Sequence, residues 1–226
     1  MRLWVVVSLT LFCAVGAARP QQVADPKFDA KVTRPAYTEK HPKVLVDEAH
    51  FNFHTAGGRF KPFADLIAND GYQVVPNREK FSGRALAGYD VLVIANALGA
   101  ERQNDPAAEQ PAFTDEECDA VRDWVQAGGA LLLIADHAPF GGASERLASR
   151  SGVEMSKGST FDPENHLPDL SNMSFLVFSR ENHLLADHPI TRGRDKNEQV
   201  KLVETFTGQS LKGPEGSVAL LPVPAG

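Results

Sequence analysis

The feature of this sequence that most constrains its fold is a series of apolar runs without polar alternation. The runs are KVLV at residues 43–46, VLVIA at residues 91–95 and ALLLI at residues 130–134. A strand with one face in water alternates apolar and polar residues, whereas a strand covered on both faces is apolar throughout. The three runs therefore predict strands of a parallel sheet that is covered on both faces.

Helical patterns lie between these runs. Residues 61–71 and 114–127 have helical periodicity, and the second segment begins with a capping box in which Thr114 is the N-cap and Glu117 follows three residues later. A shorter helix is predicted over residues 144–152, directly after a Gly-Gly pair. This alternation of strand and helix predicts an open, doubly wound α/β sheet. Further strands are predicted at residues 72–76, 175–179, 201–206 and 217–223.

Residues 1–18 have the composition of a secretory signal peptide. One basic residue precedes an apolar run over residues 3–15, and small residues follow it. The run is short for a membrane span, so we expect a secreted or periplasmic protein without stable membrane insertion after cleavage, with an uncleaved anchor as the alternative. Residues 19–42 form a polar lead-in, and residues 43–226 form a single α/β domain. Because the chain ends soon after the last predicted strand, the sequence is consistent with a complete domain and with one that is truncated at its C-terminus.

Charge and cysteine content argue against a nucleic-acid-binding protein and against a domain held together by disulfides. The formal net charge is −6 and charges of both signs are interspersed, so no nucleic-acid partner is expected. After cleavage of the signal peptide Cys118 is the single cysteine, so the domain has no internal disulfide. Cys118 shares a helix face with Val121 and Val125, which predicts a position in the core and not a catalytic role.

Four segments resemble the class I glutamine amidotransferase-like superfamily. They are VLVDEAHFNFHT from residue 44, FTDEECDAVRDWVQAGGALLLIADH from residue 113, DHPITRG from residue 187 and VETFTGQSL from residue 203. Within it they most resemble an exported branch of unknown function, related to domains of ABC-type transport and gliding proteins and more distantly to ThuA-like proteins. The resemblance implies a flavodoxin-like, mostly parallel sheet in three layers, with ligands bound beyond the carboxyl ends of the strands.

The resemblance does not imply glutaminase activity. True glutamine amidotransferases of this class have a nucleophilic cysteine at a strand-to-helix turn and a later His-Pro-Glu. The comparable strand here ends in IADHAPFGG, which has no cysteine, and DHPI has Ile190 at the position of the glutamate. Amide hydrolysis by a Cys-His-Glu set is therefore not expected.

An acid and two histidines follow the first predicted strand. Asp47, His50 and His54 lie at its carboxyl end, the edge where open α/β sheets expose functional groups. Their side chains are suitable ligands for a divalent metal, and Asp47 and His50 are also catalytic candidates. The alternative is that Asp47 binds loop amides and that the histidines pack or face solvent, since Asp-x-x-His alone is a common pattern. No other cofactor is predicted.

A second pair of candidates, Asp136 and His137, follows the strand that begins at residue 130. In a 2-1-3-4-5 strand order this pair, Asn96 and Asp47 would line one crevice. An aspartate that orients a histidine is the arrangement of a general base, so Asp136 and His137 are catalytic candidates. No serine or cysteine stands beside them in a nucleophile motif, and a structural role in bracing the loop is the alternative.

The loops after these two strands share a pattern that ends in a Gly-Gly pair before a helix. Bare glycine amides at a helix N-terminus can bind an anion, and a neighbouring arginine adds positive charge. The pattern predicts a carboxylate, phosphate or sugar-acid site, although glycines that only form tight turns are the favoured alternative. The predicted ligand-binding residues are His54, Gly57, Gly58, Arg59, Asn96, Gly141, Gly142 and Ser144.

Two functions are consistent with these patterns. The favoured one is an exported domain without enzymatic activity that binds a small polar or anionic ligand at the carboxyl ends of the strands. The alternative is a metal-assisted or His/Asp-based hydrolase that acts on a polar extracellular substrate such as a sugar derivative. The lack of a complete catalytic motif favours binding, and the sequence leaves open whether the chain is an enzyme.

Overall fold

The computed structural model describes residues 23–168 and 173–223. The predicted signal peptide at residues 1–18 lies outside the described residues. The segment that precedes the first strand is tied to the domain by hydrogen bonds to Asp70. The Tyr37 N–H donates to the Asp70 carbonyl oxygen at 3.1 Å, and the Ala36 N–H donates to Asp70 Oδ1 at 2.7 Å.

A four-stranded parallel sheet forms the centre of the fold. Its strands are β1 (Lys43–Asp47), β2 (Gln73–Asn77), β3 (Val91–Ala95) and β4 (Ala130–Ile134). Their order across the sheet is β2-β1-β3-β4, and each adjacent pair is parallel. This arrangement confirms the predicted α/β, flavodoxin-like sheet.

The helices of the domain are α1 (Lys61–Asn69), α2 (Gly83–Leu86), α3 (Asp115–Gln126), α4 (Phe140–Ser149) and α5 (Pro189–Arg192). The predicted capping box of α3 is confirmed, because the Glu117 N–H donates to Thr114 Oγ1 and the Thr114 N–H donates to Glu117 Oε2. The predicted start of α4 at residue 144 is wrong, since the helix begins at Phe140 and includes the Gly-Gly pair. Across residues 23–168 and 173–223, no helix has the length and apolar character of a membrane span.

The chain after α4 forms two small antiparallel sheets. The four short strands are β5 (Glu154–Met155), β6 (Val177–Ser179), β7 (Leu202–Glu204) and β8 (Leu211–Lys212). Strand β5 pairs with β8, and β6 pairs with β7, so none of them extends the parallel sheet. The prediction of a strand over residues 217–223 is wrong, because these residues have no strand pairing. Pro222, which lacks an N–H, is unsuited to a ladder position there.

The inner strands of the central sheet, β1 and β3, are buried on both faces. Successive residues of a strand point to opposite sides, so each face packs against a different layer. On one face, Leu92 and Ile94 pack in a cluster with Val121 of α3. On the other face, Val93 packs in a cluster with Ala64 of α1. The domain therefore has the three layers that the sequence predicts, with the sheet in the middle.

Two glycines end α3 and lead into β4. Gly128 has a φ of 109°, a left-handed value that other residues rarely adopt. A Cβ atom on Gly129 would lie 2.4 Å from the Trp124 ring. The pair therefore stops the helix and also lets Trp124 pack against the backbone that enters β4.

Leu92→Ala is expected to lower the free energy of unfolding by about 2–5 kcal/mol, because truncation of a fully buried leucine leaves a cavity. Urea denaturation followed by circular dichroism measures this loss. The matched control is Leu132→Ala in β4, whose leucine is 43% exposed and should lose much less. Equal losses in the two variants would contradict the assignment of the core.

Candidate functional site

The carboxyl ends of β1, β3 and β4 meet at one edge of the sheet. The chain passes from β1 to β2 on one side, and β3 then lies on the other side of β1. Open α/β sheets bind ligands in the crevice beside such a reversal of strand order. The candidate residues that follow these three strands therefore lie at the edge where ligand binding is expected.

Behind this edge, a buried histidine is held between two carboxylates. His50 Nδ1 lies 2.9 Å from Asp47 Oδ2, and His50 Nε2 lies 2.9 Å from Glu117 Oε1. Asp47 is fully buried, while His50 and Glu117 are 6% and 3% exposed. Since a carboxylate oxygen only accepts hydrogen bonds, both nitrogens of His50 donate and the ring is an imidazolium. We refer to Asp47, His50 and Glu117 as the buried triad.

Further donors surround the carboxylate of Asp47. Asn52 Nδ2 donates to Asp47 Oδ2 at 3.0 Å, and Asn77 Nδ2 donates to Asp47 Oδ1 at 3.3 Å. The Ala49 N–H donates to Asp47 Oδ1 at 3.2 Å. Asp47 thereby joins the end of β1 to the end of β2 and to the loop that follows β1.

Two aromatic rings enclose His50. The ring centroids of Phe81 and Phe113 lie 4.8 Å and 4.7 Å from that of His50. Burial acts to lower the pKa of His50, but the hydrogen bonds and charges of Asp47 and Glu117 outweigh it and raise the pKa above its ordinary value of 6.5. Burial acts to raise the pKa of Glu117, but a backbone N–H donor and His50 outweigh it and lower that pKa.

These contacts give Asp47 and His50 a structural role. Both nitrogens of His50 face carboxylates of the protein, so neither is directed at a metal ion or a substrate. In the described part of the chain, no three His, Cys, Asp or Glu side chains are grouped as a metal site. The sequence does not predict Glu117 as a partner of His50, because the capping box alone accounts for a glutamate at this position. Its position next to Cys118, on the buried face of α3, is a signal that was available in the sequence.

The first Gly-Gly pair lies in a turn before α1. The Gly58 N–H donates to the Thr55 carbonyl oxygen at 3.0 Å, and a Cβ atom on Gly58 would lie 2.5 Å from Thr55 Oγ1. A Cβ atom on Gly57 would meet nothing within 4 Å. Glu48 Oε1 accepts the Ala56 N–H at 3.1 Å and holds the same turn. Turn formation accounts for Gly58, and nothing in the structure explains the glycine at position 57.

His54 packs against two aromatic side chains of the loop that precedes α1. Its ring stacks on Phe60 at a centroid distance of 4.5 Å and meets the Phe53 ring edge-on at 5.1 Å. Burial and then the positive charge of Arg59 lower the pKa of His54, and the negative charge of Asp136 opposes them. Its Nδ1 atom is buried and lacks a hydrogen-bond partner among the described residues. The charged neighbours of His54 thus include Asp136, which lies in the loop after β4.

Asp136 and His137 lie near solvent at the end of β4. The Asp136 N–H donates to Oδ1 of the buried Asn96 at 3.0 Å, which joins the end of β3 to the end of β4. The Thr207 hydroxyl donates to Asp136 Oδ1 at 2.9 Å, and Asp136 Oδ2 lies 3.9 Å from His137 Nε2. The sequence does not predict the contact of Thr207 with Asp136, because no local motif connects residues so far apart in the chain.

The orientation of His137 differs from that of the base in a hydrolytic triad. His137 Nδ1 lies 2.6 Å from the Ala138 carbonyl oxygen, which only accepts, so Nδ1 carries a proton. The other nitrogen, Nε2, is the one that faces Asp136. A triad instead needs one nitrogen on the aspartate and the other on the nucleophile. Because the Ala138 carbonyl occupies Nδ1, these contacts do not support the hydrolytic interpretation.

Gly141, Gly142 and Ser144 lie inside α4 and are buried. A Cβ atom on Gly141 would lie 2.1 Å from Gln209 Oε1, and one on Gly142 would lie 2.5 Å from Glu109 Cγ. Close packing therefore accounts for both glycines, which corrects the expectation that they form an open turn before the helix. Ser144 Oγ is buried without a hydrogen-bond partner in the described ranges.

An open cleft lies among the loops that follow β1, β3 and β4, and we call it the edge cleft. It has a volume of about 710 Å³ and is lined partly by residues 101–104, Ala138 and Pro139. The Arg59 guanidinium lies 3.9 Å from the centroid of the Phe53 ring and donates to the Phe53 carbonyl oxygen at 2.9 Å. Of the predicted ligand-binding residues, Arg59 is the one that lines this cleft.

Comparison with known proteins gives a likeness of fold. The sequence matches no family model and no curated protein. Among solved structures, the chain is similar to the mmIFT52 N-terminal domain, with a TM-score of 0.57 over 79% of this chain and 72% of that chain. The two sequences are 12% identical. At this identity the likeness shows a shared fold alone.

The free energy of unfolding is expected to fall as the pH rises above about 6.5, because the pKa of His50 is raised in the folded protein. Stabilisation by the imidazolium is complete below the ordinary pKa of 6.5 and is lost as the pH passes through the raised value. Stabilisation by Glu117 is present above its ordinary pKa of 4.5 and is lost as the pH falls through the lowered value. Urea denaturation across this pH range measures both effects.

The variant His50→Gln isolates the alkaline effect. It leaves two buried carboxylates without their cation, so we expect a loss of about 3–5 kcal/mol and a flatter profile above neutral pH. The matched control is His183→Asn, because His183 is exposed and asparagine tolerates its left-handed φ of 62°. If His50→Gln kept the full alkaline slope, the imidazolium assignment would be wrong.

Proposed function

We propose that this chain is an amidotransferase-like domain that binds a small anionic ligand in the edge cleft and does not hydrolyse glutamine. The observation that carries the proposal is the presence of two guanidinium groups, Arg59 and Arg102, beside the exposed ring of Phe51. A guanidinium group binds a carboxylate or a phosphate through two parallel hydrogen bonds. The exposed ring offers an apolar surface for the remainder of the ligand.

The position of the edge cleft supports this proposal. Its walls come from the loops after β1, β3 and β4, on the side of the sheet where strand order reverses. The ring and the carbonyl oxygen of Phe53 hold the Arg59 side chain in place, so little of its freedom is lost when a ligand binds.

The charge of the edge cleft favours a ligand with a single negative charge. Glu101 lines the same cleft as the two arginines. Its carboxylate repels further negative charge, so a polyanion gains less from the cleft than a monoanion does. A carboxylate with an apolar or hydroxylated body, such as a sugar acid, fits these groups.

The chemistry of Cys118 supports a function other than glutaminase. Cys118 is fully buried in the core, and burial raises the pKa of its thiol to about 11. A thiol in this state is a poor nucleophile near neutral pH. Ile190, at the position of the catalytic glutamate in the family that the sequence resembles, has no carboxylate to contribute.

Arg59→Gln and Arg102→Gln are each expected to weaken binding of small anions about tenfold or more, because a hydrogen bond to a charged group contributes about 1.5–3 kcal/mol. Glucuronate, succinate and inorganic phosphate serve as probes, and chemical-shift changes of backbone amides measure the affinity. We expect the largest changes for residues 51–53 and 101–104.

The matched control is Arg84→Gln, which removes the same charge from a different cleft of about 610 Å³ beside α2. It should leave the affinity unchanged. Two results would contradict the proposal: no shift at the edge cleft with any probe at millimolar concentration, or equal weakening in all three variants. The second result would indicate that net charge alone attracts the anions.

We also propose that the chain is exported, on the basis of the signal-peptide composition of residues 1–18. Expression of the full chain in a bacterial host is expected to give a periplasmic or secreted product that begins near Arg19. Intact-mass measurement of that product locates the cleavage site. A product that retains Met1 and remains in the cytoplasm would contradict export.

A further inference from the structure

Two potential metal ligands at the end of β4 face each other without a direct hydrogen bond. Asp136 Oδ2 and His137 Nε2 are 3.9 Å apart, beyond the range of about 2.7–3.2 Å for a hydrogen bond between nitrogen and oxygen. Their side chains are 21% and 29% exposed, so both are in contact with solvent. The pair is therefore open, in contrast to the closed contacts of the buried triad.

Each of the two ligand atoms belongs to a side chain whose opposite end is held by another group. His137 Nδ1 donates to the Ala138 carbonyl oxygen at 2.6 Å, which fixes the ring and leaves Nε2 as the nitrogen that can bind a metal. The Thr207 hydroxyl donates to Asp136 Oδ1 at 2.9 Å and leaves Oδ2 available. Histidine and carboxylate ligands of metals are typically oriented by this kind of outer hydrogen bond.

We propose that Asp136 Oδ2 and His137 Nε2 bind a divalent transition-metal ion, with Thr207 and the Ala138 carbonyl group as the positioning partners. Imidazole and carboxylate together suit zinc, cobalt, nickel and manganese. Two ligands bound to one zinc ion at about 2.1 Å stand about 3.4 Å apart in tetrahedral geometry. The observed separation of 3.9 Å is close to this value.

Two protein ligands leave coordination positions for water or for an anionic ligand. A site with two protein ligands is consistent with the described residues, in which no three His, Cys, Asp or Glu side chains are grouped as a metal site. The site therefore differs from a closed structural zinc site, and its affinity is expected in the micromolar range. Ala138, next to His137, lines the edge cleft, although the metal site does not depend on anion binding there.

The surroundings make this pair the better metal candidate than Asp47 and His50. In the buried triad, both nitrogens of His50 already donate to carboxylates, so a metal would have to displace a buried ion pair. At the end of β4 no such displacement is needed, because Asp136 and His137 do not hydrogen-bond each other. An aspartate and a histidine are thus available to a metal ion after β4, whereas the aspartate and the histidine after β1 are already bound to protein groups.

Isothermal titration of the chain, purified without a polyhistidine tag, with zinc chloride tests the proposal, and the absorption of bound cobalt reports the ligand environment. We expect one equivalent of metal in the folded protein. Asp136→Asn and His137→Gln should each weaken binding at least tenfold while the protein stays folded, since both side chains lie near the surface. The control His183→Asn removes an exposed histidine elsewhere and should leave the affinity unchanged.

Variants of Thr207 test the positioning of Asp136. Thr207→Val removes the hydroxyl group and is expected to weaken zinc binding about 10–100-fold, the usual effect of losing an outer hydrogen bond. Thr207→Ser retains the hydroxyl group and should retain the affinity. The proposal is overturned if zinc does not bind in the micromolar range, or if Asp136→Asn and His137→Gln bind zinc as the unmodified chain does.

Discussion

The burial of a charged histidine between two carboxylates is the interaction on which the carboxyl edge of the sheet depends. Removing an ion from water costs several kcal/mol, and this cost is offset only when partners are close and remaining polar atoms are satisfied. In the buried triad, His50 has a carboxylate on each nitrogen, and Asp47 accepts from Asn52 and Asn77 as well. The triad connects β1, the following loop and α3, so it fixes the backbone that carries Phe53 and Arg59 into the edge cleft.

The fold could be predicted from the sequence wherever the determining interactions are local. Apolar runs identified β1, β3 and β4, and the capping box located the start of α3. The start of α4 could not be found in this way, since its glycines are buried against Gln209 and Glu109, which are distant in sequence. The pairing of β6 with β7 outside the main sheet also depends on contacts between segments whose strand signals are weak.

The candidate site could be predicted in its location and less well in its internal contacts. The sheet pattern placed Asp47, His50, Asp136 and His137 at the carboxyl edge, because strand ends follow from strand positions. Whether each group faces water depends on partners from elsewhere in the chain. Glu117 and Thr207 are such partners, and neither stands in a motif with the residue it contacts. Sequence spacing alone does not reveal these pairs.

The two acid–histidine pairs show how spacing influences the use of the same chemical groups. Asp47 and His50 are three residues apart across a turn, so their side chains converge and form two short contacts. Asp136 and His137 are adjacent in the chain, and they form no hydrogen bond with each other. Their facing atoms stay 3.9 Å apart, while other groups bind Asp136 Oδ1 and His137 Nδ1. Convergence within the buried triad gives a cluster of charges joined by hydrogen bonds, whereas at the end of β4 the Asp136 Oδ2 and His137 Nε2 atoms face each other without a hydrogen bond.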